Sequence, residues 1–224
     1  MENKILQQWE DRYVAFFDRA GGLTDGSHDL GHFQRVWRTA RAINRLEGSP
    51  GDELTLLTAA YFHDFVALPK NHPRRYEASR LSAERAADTI LKEWDDFPPD
   101  RIEAVKHAIY AHSFSAGVRP VTAEARILQD ADRMEALGAI GLARVFYTAG
   151  QMNSSLFDPD DPFAERREPD DRRFALDHFQ LKLLRLPAMM NTETGRRMAE
   201  ERAAYLRAFL VKIRSEISGN GEPG

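Results

Sequence analysis

The sequence predicts an all-α protein, a single helical bundle with a long loop between its central and C-terminal helices. Apolar residues recur every three or four positions in successive segments, and Gly or Pro ends most of these segments. No stretch shows the alternation of apolar and polar residues that is typical of a half-buried strand. We therefore expect one domain over residues 1–218, followed by a disordered tail over residues 219–224.

Composition limits the kind of protein and the kind of site. A chain of 224 residues that is 42% hydrophobic suits one domain with a sizeable core. Because it contains no cysteine, disulfides, thiolate metal sites and a cysteine nucleophile are excluded, and any metal must be held by His and carboxylate groups. A net charge of −4 argues against a general affinity for nucleic acids. No membrane span or signal peptide is recognisable, so a cytoplasmic protein is expected.

The first two predicted helices cover residues 4–20 and 32–47. The polar segment before the second helix places His28 and His32 on its connection and first turn, near the positive end of the helix dipole. A site can form there. In the alternative interpretation, Ser27 or Asp29 simply caps the helix and both histidines lie on the surface.

The central predicted helix, residues 54–65, is apolar on most sides and runs directly into His63 and Asp64. Its pattern predicts that Asp64 is buried. An ionised carboxylate in such surroundings is costly unless a cation or hydrogen bonds compensate it, and the adjacent imidazole suggests a metal. A His-Asp pair alone is weak evidence, because a second one occurs at His28-Asp29.

A basic loop follows this helix at residues 67–76, where two prolines prevent regular structure. Lys70 and Arg74 could bind the phosphate of a phosphorylated substrate there. The alternative is an ordinary solvated loop.

Two further helices are predicted over residues 82–94, with Leu91 facing inward, and over residues 100–112. In the second, His112 continues an apolar face that advances by three, four and three residues, whereas His107 lies about 140° from that face. His112 is therefore a candidate site residue, with a hydrogen-bonded core histidine as the alternative, and His107 is expected on the surface.

Thr122 opens the next predicted helix, which carries acids into an apolar stripe. Asp132 shares this stripe with Leu128 and should point inward, whereas Asp130 is offset by about 200° and is the weaker ligand on geometry. Gly138 and Gly141 allow a close helix contact or a break.

A loop rich in Pro and Asp is predicted over residues 150–172, before helices at residues 174–186 and 192–217. Its length is typical of either a lid, here carrying Phe157 and Phe163, or a flexible connection. The sequence pattern does not distinguish a lid from a flexible connection.

Taken in order, His32, His63-Asp64 and Asp132 resemble the motif of the HD superfamily of metal-dependent phosphohydrolases. The resemblance spans residues 25 to about 210 and points to the bacterial YpgQ/YedJ-like branch. It rests on the segments SHDLGHFQRVWRTA, YFHDFVALPKNHPRR, HAIYAHSFSAG, LQDADRMEALGAIGLARVF and HFQLKLLRLPAMMNTETGRRMAEER. It implies a single HD-type domain whose metal ligands are His32, His63, Asp64 and Asp132.

The resemblance also implies a cofactor and a reaction. Two imidazoles and two carboxylates suit one divalent ion per chain, which could be Mn²⁺, Mg²⁺, Fe²⁺, Co²⁺ or Zn²⁺. Such an ion activates water and neutralises phosphoryl charge. We assign Asp64 to orienting or deprotonating that water, and His112 or His28 to acid catalysis or phosphate binding.

The implied substrate is a small phosphorylated molecule, in particular a nucleotide cleaved by pyrophosphohydrolase or phosphatase chemistry. Besides Lys70 and Arg74, the other phosphate-binding candidates are Arg133, Arg144 and Lys182. Two alternatives are an HD-type di-iron oxygenase, for which His107 and His112 would have to complete a second metal site, and a non-catalytic metal-binding module. A homodimer is left open.

Overall fold

The computed structural model describes residues 2–20, 29–68 and 72–219, and within these ranges it contains helices and no strand. The predicted all-α fold is therefore confirmed. The α-helices of the described residues are α1 (Glu2–Arg19), α2 (Leu30–Leu46), α3 (Glu53–Phe62), α4 (Ala78–Glu93), α5 (Ile102–His112), α6 (Ala123–Met134), α7 (Gly138–Gln151), α8 (Asp177–Leu181) and α9 (Glu193–Ile217). Short 3₁₀ segments cover Arg75–Glu77, Pro99–Arg101, Phe114–Ala116 and Leu183–Met189.

The chain forms two compact units, Met1–Asp132 and Arg133–Gly224. The single domain over residues 1–218 stays a prediction. Residues 220–224 of the predicted disordered tail lie outside the described residues. None of the helices in the described ranges is both long enough and apolar enough to span a bilayer.

Helix α3 is the central element of the first unit, and every residue from Leu54 to Phe62 is buried. It packs against α1, α2, α4 and α5, which explains why its sequence is apolar on nearly every side. Large aromatic rings fill the space around its C-terminal half: Tyr13, Phe16, Phe17, Phe65 and Trp94. The end of α3 is therefore held by dense packing on the side away from solvent.

Three predictions about the first unit were wrong in detail. Helix α3 ends at Phe62, three residues earlier than predicted, and His63 caps it while Asp64 lies in the following turn. As a result the Asp64 side chain is 27% exposed and not fully buried. Leu91, predicted to face inward on α4, is 62% exposed.

Asp52 fixes the start of α3. Its Oδ1 atom accepts hydrogen bonds from the Thr55 N–H and the Thr55 hydroxyl, both at 2.8 Å. The Arg101 guanidinium donates to both carboxylate oxygens at 2.9 and 3.1 Å, which ties α3 to the segment before α5. One carboxylate thus combines an N-cap with a bidentate ion pair.

We expect Asp52→Ala to lower the free energy of unfolding by about 1–2 kcal/mol through loss of this cap. Burial alone would raise the pKa of Asp52, but the Arg101 and Thr55 hydrogen bonds hold it below its usual range. A lowered folded-state pKa stabilises the protein above the unfolded pKa, and that contribution disappears as the pH falls through the folded value. Urea unfolding at pH 7 and pH 3 measures both effects. Asp95→Ala, which removes an exposed aspartate, is the control, and an equal loss in both variants would contradict the prediction.

The second unit is built from α7, α8 and α9. Helix α7 begins at Gly138 with φ of +67°, and a Cβ on Gly141 would lie 2.2 Å from the Ala136 carbonyl carbon, so both positions require glycine. The core of this unit consists of ten buried residues: Met134, Leu137, Leu176, Phe179, Leu183, Leu186, Met190, Ala199, Ala203 and Leu206.

The segment predicted as one helix over residues 174–186 is instead α8, only five residues long, followed by the 3₁₀ segment Leu183–Met189 with Pro187 inside it. Proline cannot supply the N–H that a continued α-helix needs.

The predicted long loop is present between α7 and α8. Asp161 accepts hydrogen bonds from the backbone N–H groups of Glu165, Arg166 and Arg167 at 2.9–3.1 Å. A short bridge pairs Ser155 with Phe174. Side-chain and backbone hydrogen bonds therefore fix the path of this loop, and a role as a lid stays a prediction.

Candidate metal centre

Two buried imidazoles face each other in the first unit. The Nε2 atoms of His32 and His63 are 3.1 Å apart, and both side chains are fully buried. His32 lies in the first turn of α2, where the Asp29 carboxylate accepts its backbone N–H at 2.8 Å. His63 caps the C-terminus of α3. Two helix ends thus bring together residues that are 31 positions apart in the sequence.

Asp132 completes the group from α6. Its Oδ1 atom is 3.7 Å from the Nε2 atoms of both His32 and His63. These distances exceed those of hydrogen bonds. Two ligands of one cation at metal–ligand distances of about 2.0–2.2 Å lie about 3.0–3.6 Å apart when they occupy adjacent positions. The observed separations of 3.1 and 3.7 Å therefore fit a divalent cation between these atoms.

Asp64 joins this group through His63 and connects it to His112. Asp64 Oδ2 is 3.7 Å from His63 Nε2, and Asp64 Oδ1 is 3.5 Å from His112 Nε2. The structure thus forms two overlapping groups whose ligand atoms lie within 4.8 Å of one another: His32, His63 and Asp132 in one, and His63, Asp64 and His112 in the other. The inward direction predicted for His112 agrees with its burial.

Backbone carbonyls fix the tautomers of two of these histidines. His63 Nδ1 lies 2.9 Å from the Ala60 carbonyl, and His112 Nδ1 lies 2.6 Å from the Ile109 carbonyl. Because a carbonyl only accepts, Nδ1 carries the hydrogen in each ring. The lone pair of the neutral ring is then on Nε2, the atom that faces the site, as in metal-binding histidines whose other nitrogen is hydrogen-bonded.

The surrounding charges favour a cation at this point. Burial lowers the pKa of His63, but Asp64 and Asp132 outweigh it and raise that pKa to about 9. Burial likewise opposes ionisation of Asp132, yet the neighbouring His63 holds the pKa of Asp132 well below its usual range. Positive charge between these groups is therefore stabilised by both carboxylates.

Comparison with known proteins places the chain in a family. The HD domain model matches residues 29–137, which include every group described above. The YpgQ protein of Bacillus subtilis is 34% identical over 205 residues, which cover 88% of this chain and 89% of YpgQ. The chain belongs to the HD superfamily. This membership confirms the predicted resemblance.

Solved HD-superfamily structures share the fold over nearly the whole chain. Bacillus subtilis YpgQ in complex with ADP has a TM-score of 0.70 at 30% identity, covering 94% of this chain and 98% of YpgQ. An HD-superfamily hydrolase from Bacillus thuringiensis has a TM-score of 0.71 at 26% identity, covering 99% and 100% of the two chains. The chain therefore has the fold of an HD-superfamily hydrolase together with a candidate His/Asp metal cluster.

The remaining predicted site residues are distributed as follows. His28 and Lys70 lie outside the described residues. Arg74 is exposed and donates to Glu77 at 2.5 and 3.1 Å, so phosphate would have to compete with this carboxylate. Arg133, Arg144 and Lys182 belong to the second unit. Phosphate binding by Lys70, Arg74, Arg133, Arg144 and Lys182 stays a prediction, and so does the role of His28 in acid catalysis or phosphate binding.

Two further polar residues, Asp130 and His107, lie outside the ligand groups that contain Asp132 and His112. Asp130 is fully buried, more so than Asp132, whose side chain is 28% exposed. It belongs to neither of the two groups found among the described residues, which agrees with the helical offset. His107 Nε2 accepts the Val121 N–H at 3.2 Å and likewise belongs to neither group.

The carbonyl acceptors at Ala60 and Ile109 were not predicted from the sequence. Each lies three residues before its histidine at the C-terminal end of a helix, where carbonyls lack intrahelical partners. A histidine in the last turn of a buried helix is the signal that could have found them.

Proposed function

We propose that this protein is a divalent-metal-dependent phosphohydrolase, with His32, His63, Asp64 and Asp132 as the metal ligands. The observation that carries the proposal is the convergence of His32 Nε2, His63 Nε2 and Asp132 Oδ1 at 3.1 and 3.7 Å. The fixed tautomer of His63 supports it, because Nε2 is then preorganised as a ligand.

A divalent cation bound by these residues supplies Lewis-acid activation of water and neutralises charge on the phosphoryl oxygens. The protein side chains perform the remaining tasks. Asp64 is partly exposed, so water can reach its carboxylate, and its two oxygens face different histidines. We assign Asp64 to orienting the attacking water and accepting its proton.

His112 is the second proton-transfer group in this proposal. Since its Nδ1 hydrogen is bound to the Ile109 carbonyl, proton exchange takes place at Nε2, 3.5 Å from Asp64 Oδ1. A proton accepted by Asp64 can therefore pass to His112 and from there to the leaving group. Asp64 and His112 form the catalytic pair.

We propose a nucleotide as the substrate, hydrolysed at a phosphoanhydride or phosphate ester bond. The support comes from YpgQ, which was crystallised with ADP and shares 30% of its residues with this chain in the aligned structures. A nucleotide combines a charged phosphate chain with a flat base.

The group of His63, Asp64 and His112 favours one alternative, a dinuclear site of the oxygenase type. Such a site needs further ligands beyond those shared with the first group. His107 belongs to neither ligand group found among the described residues, and its Nε2 atom accepts the Val121 N–H. The count of bound metal ions separates the two functions.

The test is a screen of the metal-stripped protein with Mn²⁺, Mg²⁺, Co²⁺ and Zn²⁺ added back. We expect hydrolysis of nucleotides only when metal is restored, one tightly bound equivalent by elemental analysis, and a rise in melting temperature. Metal at 100 times its Kd should stabilise the folded state by about 2.7 kcal/mol. Two equivalents, falling to one in His112→Ala, with oxygen consumption in place of phosphate release, would favour the oxygenase. Metal binding without any turnover would indicate the non-catalytic module.

A further inference from the structure

Two aromatic side chains of the first unit are strongly exposed and lie on short segments that pack against each other. Phe114 is 74% exposed and Tyr76 is 56% exposed. The other strongly exposed large apolar side chains in the described part of this unit are aliphatic: Ile5, Leu46, Leu91 and Val121. Exposure of a phenyl ring to this degree leaves most of its apolar surface in water, at a cost that packing in the core would avoid.

Phe114 lies close to His112 because only one residue separates them in the sequence. Phe114 follows His112 by two residues, with Ser113 in an extended conformation between them. Two residues span at most about 7 Å, so the Cα atoms of Phe114 and His112 lie within that distance. His112 Nε2 in turn faces Asp64 Oδ1 at 3.5 Å. The backbone of Phe114 is therefore anchored within about 7 Å of one member of the catalytic pair, and its ring is open to solvent.

Tyr76 comes to the same place from another part of the chain. It lies in the 3₁₀ segment Arg75–Glu77, which packs against the 3₁₀ segment Phe114–Ala116. The first segment begins ten residues after the turn that holds Asp64. The two 3₁₀ segments are thus neighbours in space, and each contributes one exposed ring.

Hydrogen bonds hold both of the segments that carry the two rings. Ser113 and Ser115 share a hydrogen bond of 2.9 Å between their hydroxyls, and Gly117, at φ of +65°, ends the turn by donating its N–H to the Phe114 carbonyl. In the segment that contains Tyr76, the Arg75 side chain donates to the Leu68 carbonyl at 3.1 Å. Binding at such a surface orders few groups that are not already ordered.

We propose that Phe114 and Tyr76 bind the base of the nucleotide by stacking. This inference rests on the proposed function, and it adds the surface that recognises the non-phosphate part of the substrate. Every base has a π-face, so stacking tolerates both purines and pyrimidines. The pair therefore provides affinity for nucleotides as a class and little discrimination between bases.

The test compares ATP with inorganic tripolyphosphate, which carries the same phosphate chain without a base. We expect Phe114→Ala to lower the ratio of kcat/KM for ATP to kcat/KM for tripolyphosphate about 10-fold, mainly through KM for ATP. Phe114→Trp should restore the ratio, whereas Phe114→Leu, which keeps apolar volume but has no π-face, should not. Tyr76→Ala should lower the ratio and Tyr76→Phe should preserve it. Leu91→Ala, which truncates an aliphatic side chain on α4 whose 62% exposure lies between those of Tyr76 and Phe114, is the matched control.

Fluorescence titration with the etheno-adenine analogue of ADP separates this inference from the proposed function. If the wild-type protein hydrolyses no nucleotide, the proposed function fails. A Kd for the analogue that rises about 10-fold in Phe114→Ala and recovers in Phe114→Trp would still support stacking. Wild-type affinity in Phe114→Ala, equal losses on ATP and tripolyphosphate, or no binding of the analogue by the wild-type protein would overturn it.

Discussion

Replacing Asp132 by asparagine will abolish metal-dependent hydrolysis while the helical fold persists. Asp132 Oδ1 is 3.7 Å from both His32 Nε2 and His63 Nε2, and its carboxylate is held ionised by the neighbouring His63. Asparagine preserves the volume but removes the charge that stabilises a cation between the two imidazoles. Since even outer-sphere partners of a metal are worth about 10–100-fold in affinity, we expect the loss of this ligand to exceed about 100-fold.

Asp130→Asn is the matched control for this substitution. Asp130 lies on the same helix two residues earlier and is fully buried, but it belongs to neither ligand group among the described residues. Its replacement should change the free energy of unfolding and leave metal affinity near that of the wild-type protein. Competition with a chelating dye measures affinity, and circular dichroism measures helicity. Full activity in Asp132→Asn, or loss of metal binding in Asp130→Asn alone, would refute the assignment of ligands.

Helical periodicity was sufficient for the residues whose role depends on which face of a helix they occupy. It predicted that α3 is buried on most sides, that His112 points inward and that Asp132, in preference to Asp130, is the candidate ligand. In each case the angle of 100° per residue determines the direction of the side chain. Sequence order then identified which of these residues belong to one motif.

Helical periodicity did not predict the direction of a side chain that follows the end of a helix. Helix α3 continues its apolar pattern through Phe65, yet it ends at Phe62, and this earlier end places Asp64 in a turn where water can reach it. It also failed for Asp130, which is fully buried although it is offset from the apolar stripe. A helix inside a bundle has neighbours on more than one side, so that a single stripe does not define its buried surface.

Contacts between distant segments were also beyond the sequence pattern. Nothing in the pattern indicates that the 3₁₀ segment containing Tyr76 packs against the one containing Phe114, because neither segment is long enough to show a period. The same holds for the long loop of the second unit. Its composition did not indicate the specific hydrogen bonds of individual aspartates that set its path, and a role as a lid stays a prediction.

The strongest of these contacts is the ion pair between Arg167 and Asp177. Breaking it is the second change for which we expect a large effect, here a loss of stability. Asp177 is fully buried at the start of α8, and Arg167 donates to its two carboxylate oxygens at 2.5 and 2.9 Å. The Asp170 N–H donates to the same carboxylate at 2.7 Å. Arg167 also covers the Phe174 ring, with 4.5 Å between the guanidinium carbon and the ring centroid. The pair thus anchors the loop to the helix that follows it.

Arg167→Met will lower the free energy of unfolding by about 3 kcal/mol, because it leaves the Asp177 carboxylate buried with one hydrogen bond in place of three. Methionine keeps the apolar stem over Phe174, so the loss reports the charge and not the packing. Arg167 is 22% exposed, and water can enter to compensate in part, which places the expected value at the low end of the usual range for a broken buried pair, about 3–5 kcal/mol.

The double variant Arg167→Met with Asp177→Leu distinguishes a buried-charge penalty from general damage to the loop. Removing both charges eliminates the unpaired carboxylate, so the double variant should be more stable than Arg167→Met alone, even though it contains one more substitution. Arg172→Met, at an exposed arginine of the same loop, should change the free energy of unfolding by less than about 0.5 kcal/mol. Urea unfolding of the wild-type protein, Arg167→Met, Asp177→Leu and the double variant measures the cycle, and Arg172→Met is measured beside them. If the losses of unfolding free energy in the two single variants add up to the loss in the double variant, the Asp177 carboxylate carries no free-energy penalty when Arg167 is absent. The loop would then be anchored by its other contacts.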